Sequence, residues 1–412
     1  MSIMPKYHCN SEIVKPVTIL VHRPGEETEL AFEHPEYWGF DPSLAGEKRA
    51  FAEWLEDAGK EHDEMAAVLR QEGIQVLQIR ELLRTKGEQI KSYLAREFAQ
   101  GLKTVERQWP GYSDVFREYF SEMAYNPSHG LVQTLFQGLE ASPTFRKLPP
   151  QNRSKVYRKL QHLMPQASLY YAQDPAIATP TGLVKSRMAM WQRQQEPDIL
   201  QMALGEANYI HAMENRAEGG DVTMFHPDLY SLEAALGNDR PKMYFGINGQ
   251  SGANAIEEAQ LLATKSESDL VLFFVPDYFN PGVAYAGGNV MHLDTLLMPI
   301  DSDTVLGNRA MLEHTVVQDG STPLVNAYQW AKQRLGRVLE VPDSEQQGVY
   351  GWGANVLPLG DRAVLSSNHL HTTNYRLRRA GFHVYAIDAS TLTSGFGSFH
   401  CMTLYLRDTV WA

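Results

Sequence analysis

The chain has 412 residues, of which 43% are hydrophobic and 21% are charged, and its formal net charge is −12. These values are typical of a soluble globular protein with one large domain or two to three smaller ones. The negative charge disfavours nucleic acid and anionic membranes as partners, and no apolar run reaches the roughly 18 residues that a membrane helix needs. Because residues 1–15 lack the apolar segment of a signal peptide, we expect a cytoplasmic protein.

The first half of the chain predicts an α/β frame that carries a helical insertion. Residues 17–23 are β-rich, residues 47–72 follow helical spacing, and residues 74–79 (IQVLQI) have the composition of a strand. Helix formers with apolar side chains at helical intervals then dominate from 81 to 164. We therefore expect one domain over 1–412 with a helical insertion at 81–164.

After Met164 the sequence changes to short strands separated by Gly, Asn and Asp turns. Two stretches in this half, EGGDV at 218–222 and WGANV at 352–356, each precede a strand, a turn and a second strand. A repeated ββαβ unit would explain this echo, although α/β proteins also echo themselves by chance. The predicted strands are 271–275, 291–298, 363–365 and 384–387, and the predicted helices include 253–264 and 323–335.

Three stretches contain polar residues that core packing does not explain. Asp174 lies in the stretch YYAQDP before a proline, where a turn residue is the ordinary interpretation. Glu218 and Asp221 flank a glycine pair, which either makes a simple turn or lets the backbone approach a ligand or neighbour closely. His292 and Asp294 in MHLD would face the same side of a strand, an arrangement that suits acid/base chemistry or cation binding but is also common by chance.

The two cysteines, Cys9 and Cys401, lie at opposite ends of the chain and support neither a disulfide framework nor a thiolate metal cluster. A lone cysteine is often a buried inert thiol. Cys401 follows a Gly/Ser-rich stretch, however, whose free backbone N–H groups can lower a thiol pKa or stabilise a charged intermediate. The sequence has no P-loop, dinucleotide fingerprint, HExxH or CxxC motif, and His369 and His371 have no third ligand at suitable spacing, so we expect neither metal nor cofactor.

Taken in order, these stretches resemble the arginine deiminases and the wider superfamily of guanidino-group-modifying enzymes. The resemblance extends over nearly the whole chain and includes VHRPGEE at 21–27, EHD at 61–63 and the closing Cys-Met-Thr at 401–403. It implies the five-bladed α/β propeller called the pentein fold, which is a single catalytic domain of ββαβ modules with a helical insertion. It also implies a hydrolase that cleaves a C–N bond of a guanidino group, releasing ammonia and a ureido product such as citrulline.

The resemblance assigns roles to the residues described above. Cys401 corresponds to the nucleophile, His292 to the general acid/base, and Glu218 to the carboxylate that orients and charges the histidine. Asp174 and Asp294 correspond to the acids that grip the guanidinium, whose forked N–H donors suit bidentate binding by carboxylates. The further substrate contacts that we expect are Arg193, which matches an arginine that reads the substrate carboxylate, together with Asp221, Ser168 and Gln250.

The chain departs from the family pattern mainly at the rim of the expected site. Ser168 and Gln173 replace an asparagine and an arginine, and Gln250 replaces a second carboxylate-reading arginine. A neutral amide cannot replace a guanidinium as a bidentate partner of a carboxylate, so the substrate bears a guanidine but need not be unmodified L-arginine. The family's LFDD-like segment is also not recognisable at 47–50. The loop before the nucleophile, which is Gly/Arg-rich in the family, here contains Phe396, Phe399 and His400.

Other functions stay open at this point. An amidinotransferase of the same superfamily passes the amidino group to an amine instead of water, and a catalytically silent homologue would serve as a binding protein. The helical insertion and the EGGD stretch favour hydrolysis, and the acidic partners of the thiol disfavour a cysteine hydrolase of peptides. We also expect a homo-oligomer, a dimer or a tetramer, that takes a small guanidino substrate and binds neither nucleic acid nor membrane.

Overall fold

A computed structural model of the chain describes residues 6–29, 31, 51–125, 130–227, 239–248, 251, 254–276, 292–346, 352–395 and 397–408. The strands in these ranges are β1 (Pro16–Val21), β2 (Gln75–Gln78), β3 (Ala176–Thr179), β4 (Gly182–Lys185), β5 (Tyr209–Ala212), β6 (Val222–Phe225), β7 (Lys242–Ile247), β8 (Asp269–Phe274), β9 (Leu297–Asp301), β10 (Thr304–Gly307), β11 (Val316–Asp319), β12 (Val325–Asn326), β13 (Arg337–Glu340), β14 (Leu357–Gly360), β15 (Ala363–Ser367), β16 (His383–Ile387) and β17 (Leu404–Asp408).

The helices in the same ranges are α1 (Phe51–Gln71), α2 (Ile79–Arg84), α3 (Gly87–Gln108), α4 (Ser113–Tyr125), α5 (Gly130–Gln137), α6 (Pro143–Arg146), α7 (Pro150–Tyr157), α8 (Glu196–Leu204), α9 (Ala255–Lys265), α10 (Arg309–His314), α11 (Ala327–Arg334), α12 (Asp343–Gln346) and α13 (His371–Arg379). Short 3-10 turns connect several of these elements. None of these helices combines the length and the apolar character that crossing a lipid bilayer requires.

The sheets repeat one three-stranded unit. In the five units β17-β1-β2, β3-β4-β5, β6-β7-β8, β9-β10-β13 and β14-β15-β16, the first pair of strands is antiparallel and the second pair is parallel. A parallel pair needs a crossover connection, and each crossover here contains at least one helix. Within the described residues, these five ββαβ units confirm the predicted five-bladed propeller and the α/β class.

The first strands of the five units lie around a common axis. β17 contacts β3, β3 contacts β6, the turn before β9 contacts β6, and β9 contacts β14. Tyr405 on β17 donates a hydrogen bond to the Pro358 carbonyl on β14, which links the last of these strands to the first. The loops that lead into these strands therefore meet near one end of the axis.

Helix α1 shows how the local sequence sets the pattern of a unit. Its buried side chains recur at helical spacing, and Gly73, at φ 78°, ends the helical segment in the left-handed conformation that glycine adopts without strain. The chain then reverses into β2, which pairs with β1 in parallel. The side chains of α1 that pack into the core include Trp54, Ala58, Met65 and Leu69.

The described residues between β2 and β3 form α2–α7 and short 3-10 turns. Helices α3, α4, α6 and α7 contribute to a hydrophobic cluster of their own, in which Phe145 contacts Tyr119 and Tyr157 edge to face. This region is where the sequence predicts a helical insertion. The boundaries 81–164 and the single domain over 1–412 stay predictions.

Most predicted elements agree with the structure within a few residues, but the strand predicted at 291–298 is wrong in its first half. Residues 293–295 form a 3-10 turn and β9 begins only at Leu297, while Met291 lies outside the described residues. The Thr295 hydroxyl donates to the His292 carbonyl at 2.7 Å, which stabilises a turn instead of a strand ladder. Similarly, the helix predicted from residue 323 begins only at Ala327, because Asn326 caps it by accepting the Gln329 N–H at 2.8 Å.

Candidate active site

Five buried polar residues lie shortly before the first strands of the five units. They are Asp174 before β3, Asp221 before β6, Asp294 before β9, Asn355 before β14 and Cys401 before β17. Because these strands surround one axis, residues from distant parts of the sequence come together at its end. Each unit thus contributes one side chain to a common buried site.

His292 lies between two of the predicted carboxylates. Its Nε2 is 3.1 Å from Glu218 Oε2 and its Nδ1 is 3.4 Å from Asp174 Oδ1. The glycine pair after Glu218 permits this packing, because a Cβ on Gly220 would lie 2.6 Å from His292 Nδ1. The tight turn predicted for EGGD therefore exists, and the neighbour that its backbone approaches is the imidazole.

Arg193 lies on the other side of Asp174, fully inside the protein. Its Nη1 donates to Asp174 Oδ2 at 2.7 Å, and its Nε and Nη2 donate to both oxygens of Glu196. Glu218 Oε2 is 3.8 Å from Nη1. Arg193 was expected to read a substrate carboxylate, and in this structure its guanidinium binds acids of the site itself.

The thiol of Cys401 donates to Asp294 Oδ2 over 3.4 Å. The same Oδ2 is 2.8 Å from His400 Nδ1, and His400 Nε2 is 2.7 Å from Glu12 Oε2. All four side chains are buried. Cys401, the candidate nucleophile, is thus the first member of a buried series of polar contacts that continues through Asp294 and His400 to Glu12. Asp294 links the thiol to the rest of this series.

The loop that carries Cys401 is held from several sides. Asn355 Oδ1 accepts the backbone N–H groups of Ser398 and Cys401 at 3.1 and 3.2 Å, and the Cys401 carbonyl accepts the Gln173 N–H at 3.1 Å. Further upstream, Glu61 of the EHD stretch accepts the backbone N–H groups of residues 391 and 392. Glu61 therefore holds the segment that leads into the Cys401 loop, from a position outside the charged cluster.

The environment raises the pKa values of both Cys401 and His292. Burial and the negative charges of Asp294 and Asp174 raise the pKa of the Cys401 thiol well above its usual value. Burial alone would lower the pKa of His292, but Asp174, Asp221 and Glu218 raise it well above the usual range. The free site therefore holds a neutral thiol and a protonated imidazole at neutral pH.

The carboxyl groups divide into two sets. Burial raises the pKa of Asp174, and it raises the pKa of Asp221 to about 8 and that of Glu196 to about 7. Although burial opposes it, His400 lowers the pKa of Asp294. His292 does the same for Glu218. Asp294 and Glu218 thus stay ionised beside a histidine, while burial favours the protonated form of the other three acids.

The other predicted contacts lie around this cluster. Asp221 Oδ1 accepts the side-chain N–H of Asn248 at 2.8 Å, and Ser168 is half-buried in the turn before Asp174, where its carbonyl accepts the Tyr171 N–H. Gln250 and Phe396 lie outside the described residues. The site residues that the sequence did not single out as partners are Glu12, Glu196, Asn355 and His400.

A weak signal existed for one of these residues. The echo between EGGDV and WGANV places Asn355 where Asp221 stands in the other unit, and both residues precede the first strand of their unit. If the similarity of the two stretches is functional, it also predicts Asn355 as a residue of the site. Glu12 carries no comparable pattern, since only its contact with His400 defines it. Glu196 lies three residues after Arg193, a spacing at which an acidic and a basic side chain can pair.

One group of side chains has the geometry to hold a metal ion. Asp174, Glu218 and His292 each offer a ligand atom, and these atoms lie within 4.8 Å of one another. Arg193 already places a positive charge on Asp174, and both ring nitrogens of His292 face carboxylates. A divalent cation would therefore compete with the guanidinium and the imidazolium for the same oxygens.

Comparison with known proteins assigns this arrangement to a family. The model of the arginine deiminase family matches residues 51–228 and 286–407, which contain His292, Cys401 and their carboxylate partners except Glu12. The chain belongs to the arginine deiminase family. Its members are hydrolases that act on C–N bonds of linear amidines.

Curated relatives match along nearly the whole chain. Arginine deiminase 1 of Staphylococcus epidermidis is 25% identical over 96% of both chains, and an arginine deiminase of Latilactobacillus sakei is 23% identical over 97% of this chain and 98% of its own. A DDAH from Pseudomonas aeruginosa complexed with citrulline has a TM-score of 0.52 at 14% identity, covering 95% of this chain and 99% of its own. SxtG, an amidinotransferase from Microseira wollei, has a TM-score of 0.53 at 13% identity, covering 98% of both. The two structural similarities confirm the fold.

Replacing Gly220 by alanine tests the packing of His292. The new Cβ would displace the imidazole from Glu218 and Asp174, because its calculated position is 2.6 Å from Nδ1. We expect the activity toward a guanidino substrate to fall by about 100-fold, since small displacements of reacting groups cost about that much. Gly111→Ala is the control, because nothing lies within 4 Å of a Cβ there. Wild-type kcat/KM in folded Gly220→Ala would contradict the proposed packing.

The His400 ion pairs make stability depend on pH. Although burial alone would lower the pKa of His400, Glu12 and Asp294 raise it to about 10. The stabilisation is fully present below the unfolded value of about 6.5 and is lost as the pH rises through about 10. We therefore expect His400→Gln to lower the free energy of unfolding by about 3 kcal/mol near pH 6, and by progressively less toward pH 10.

Denaturant unfolding of both proteins at several pH values measures this difference. The exposed His371, replaced by glutamine, is the control and should show no comparable trend. A destabilisation by His400→Gln that stays constant or grows toward pH 10 would be inconsistent with a protonated His400 between the two acids.

Proposed function

We propose that this chain hydrolyses the guanidino group of L-arginine or an arginine derivative through a covalent adduct on Cys401. Ammonia and a ureido product are released. In this proposal Cys401 is the nucleophile, His292 is the general acid and base, and Glu218 orients and charges His292. Asp174 and Asp294 bind the guanidinium.

One observation carries this proposal above all others. Asp174 Oδ1 and Asp294 Oδ1 are both buried, and neither accepts a hydrogen bond in the part of the chain that the structure describes. His292 Nδ1 lies 3.4 Å from Asp174 Oδ1 without forming such a bond. Leaving a buried acceptor unsatisfied costs about 1–3 kcal/mol, and more for a charged one. A guanidinium supplies forked N–H donors and the missing positive charge together. Both carboxylates act on the Cys401 thiol: Asp294 accepts from it through Oδ2, and the charge of Asp174 helps to raise its pKa.

Binding of such a cation would also activate the nucleophile. In the free site the neighbouring carboxylates keep the pKa of the Cys401 thiol high. A guanidinium held between Asp174 and Asp294 adds a positive charge beside the sulfur, which lowers the thiol pKa and releases its proton to water. The enzyme would then form its thiolate mainly when a substrate is present.

The remaining steps follow from the charge state of His292. The thiolate attacks the central guanidino carbon and forms a C–S bond, and the protonated His292 donates its proton to the departing nitrogen as the C–N bond breaks. Ammonia leaves and an amidino group stays on the sulfur. His292, now neutral, takes a proton from water as the water oxygen attacks the same carbon. Breaking the C–S bond then releases the ureido product and the thiolate.

The names of the relatives support arginine or a derivative as the substrate. Arg193 was the expected reader of a substrate carboxylate. Since Asp174 and Glu196 occupy its donors in this structure, a substrate carboxylate would have to compete with both acids. We therefore infer that Arg193 chiefly supplies charge to the acid cluster, which leaves the recognition of the substrate tail to other residues of the rim.

Two finer properties belong to the same proposal. We infer a cytoplasmic enzyme, and the two free buried thiols are compatible with a reducing compartment. The predicted homo-oligomer, a dimer or a tetramer, stays a prediction.

A substrate screen tests the proposed reaction. Wild-type protein is incubated with L-arginine, agmatine, methylated arginines and a peptidyl-arginine, and the ureido product and the released ammonia or amine are measured together. We expect equal amounts of ureido product and amine from at least one compound. Cys401→Ser should reduce kcat by more than about 10³-fold, because removing a nucleophile abolishes the covalent route.

Other results would point elsewhere. A new guanidino compound that appears only when an acceptor amine is added would identify an amidinotransferase. If folded wild-type protein binds these compounds but converts none of them, the chain is a binding homologue and the hydrolase proposal fails.

A further inference from the structure

Asn355 joins the nucleophile loop to another unit of the propeller. Its side chain is fully buried, and Oδ1 accepts two backbone N–H groups of the loop, those of Ser398 and Cys401. One amide oxygen thus fixes both the residue that opens the last turn of the loop and the nucleophile itself. The contacts span more than 40 residues of sequence, so local turn chemistry alone does not supply them.

The other end of the same amide is unoccupied. Because Oδ1 must face the loop to accept two donors, Nδ2 faces away from it. Nδ2 is buried and has no hydrogen-bond acceptor among the residues that the structure describes. It lies close enough to Asp294 to help lower the pKa of that carboxyl group, together with His400. A buried donor without a partner is rare in folded proteins.

The backbone around Asn355 is tied to the Asp294 turn. Gln346 is buried, and its Nε2 donates to the Thr295 carbonyl at 2.7 Å while its Oε1 accepts the Ala354 N–H at 3.2 Å. Ala354 precedes Asn355 and Thr295 follows Asp294, so Gln346 joins the backbone next to Asn355 to the backbone next to Asp294. The fold therefore holds Asn355 next to the turn that carries Asp294.

We propose that Asn355 is a positioning residue, which holds the Cys401 loop with its oxygen and directs its amide donors at the Asp294 side of the thiol. This inference rests on the proposed function, in which Asp294 must remain a carboxylate that faces both the sulfur and the substrate. The oxygen sets where Cys401 stands. The amide supports the negative charge that Asp294 needs without adding a proton that could titrate.

The surrounding charges define what a change at Asn355 does. Among the described residues, the titratable groups that face Cys401 and Asp294 are His400 on the Cys401 loop, Tyr171 and Asp174 before β3, and His292 on the turn of Asp294, with Glu12 behind His400. Asn355→Asp keeps the acceptor but replaces the donor by a negative charge. Asn355→Ala removes acceptor and donor together.

Alkylation of Cys401 by iodoacetamide measures the thiol directly and needs no substrate. The rate is followed against pH by mass spectrometry of the Cys401 peptide, which separates it from Cys9. We expect Asn355→Asp to move the midpoint of this profile upward by about one pH unit, because a like charge disfavours the thiolate. At a fixed pH below the midpoint, alkylation should slow by about tenfold.

Asn326→Asp is the matched control. Asn326 also accepts a backbone N–H through Oδ1, but at the start of α11, so the same substitution should leave the midpoint unchanged. If Asn355→Asp shows the wild-type midpoint, the amide end of Asn355 does not act on the Asp294 side of the thiol and the proposal is wrong. Because the readout is alkylation, this result is independent of whether a guanidino substrate is found.

Hydrogen exchange on the wild-type protein tests the anchoring even if a variant fails to fold. The amides of Ser398 and Cys401 should exchange about as slowly as those of β17, since Asn355 accepts both. Asn355→Ala, if folded, should lose this protection while β17 keeps its own. Fast exchange of both amides in the wild type would overturn the anchoring role.

Discussion

The site depends on a concentration of negative charge that the protein buries without fully neutralising it. The connected carboxyl groups are Glu12, Asp174, Glu196, Glu218, Asp221 and Asp294, and the cations placed among them are Arg193, His292 and His400. Burying a charge without compensation is costly, and a buried acid either pairs with a cation or takes up a proton. Burial raises the pKa values of Asp221 and Glu196, which favours their protonated forms. Within the described residues, one oxygen each of Asp174 and Asp294 accepts no hydrogen bond.

The propeller makes this concentration geometrically possible. Each unit places a loop at the same end of the axis. Acids that are far apart in the sequence therefore meet there, and no long helix or strand has to carry two of them. The sixth acid, Glu12, reaches His400 from the N-terminal segment, whose backbone pairs with that of Met224. The same architecture lets Asn355 hold the nucleophile loop from a neighbouring unit. Stability and reactivity are therefore coupled, because the contacts that close the ring also place the thiol.

The sequence was informative where chemistry leaves a local pattern. Cys401 after its glycines, the EGGD turn and the stretch with His292 and Asp294 all lie in the cluster. The strand predicted at 291–298 was wrong at its start because Thr295 and His292 close a local turn, and alternation cannot reveal such a bond. Even so, His292 and Asp294 face the same cluster, through the turn instead of the pleat.

Pairing between distant residues could not be derived in this way. Nothing near Glu12 indicates a partner, because its role depends on a charge that the fold brings close. Glu196, by contrast, lies only three residues after its partner Arg193. Arg193 shows the same limit: its residue type suits a substrate carboxylate as well as it suits Asp174, and only the structure shows which acid it meets. The rim of the site stays least constrained, since Gln250 lies outside the described residues.

The most direct test of the account is the state of Cys401 during turnover. Wild-type protein is mixed with a converted guanidino compound, quenched in acid within the turnover time and digested for mass spectrometry. The account predicts an amidino group on the sulfur of Cys401, which disappears once the substrate is consumed and never forms on the Cys401→Ser protein. Turnover without a modified Cys401, or at a wild-type rate by Cys401→Ser, would contradict it.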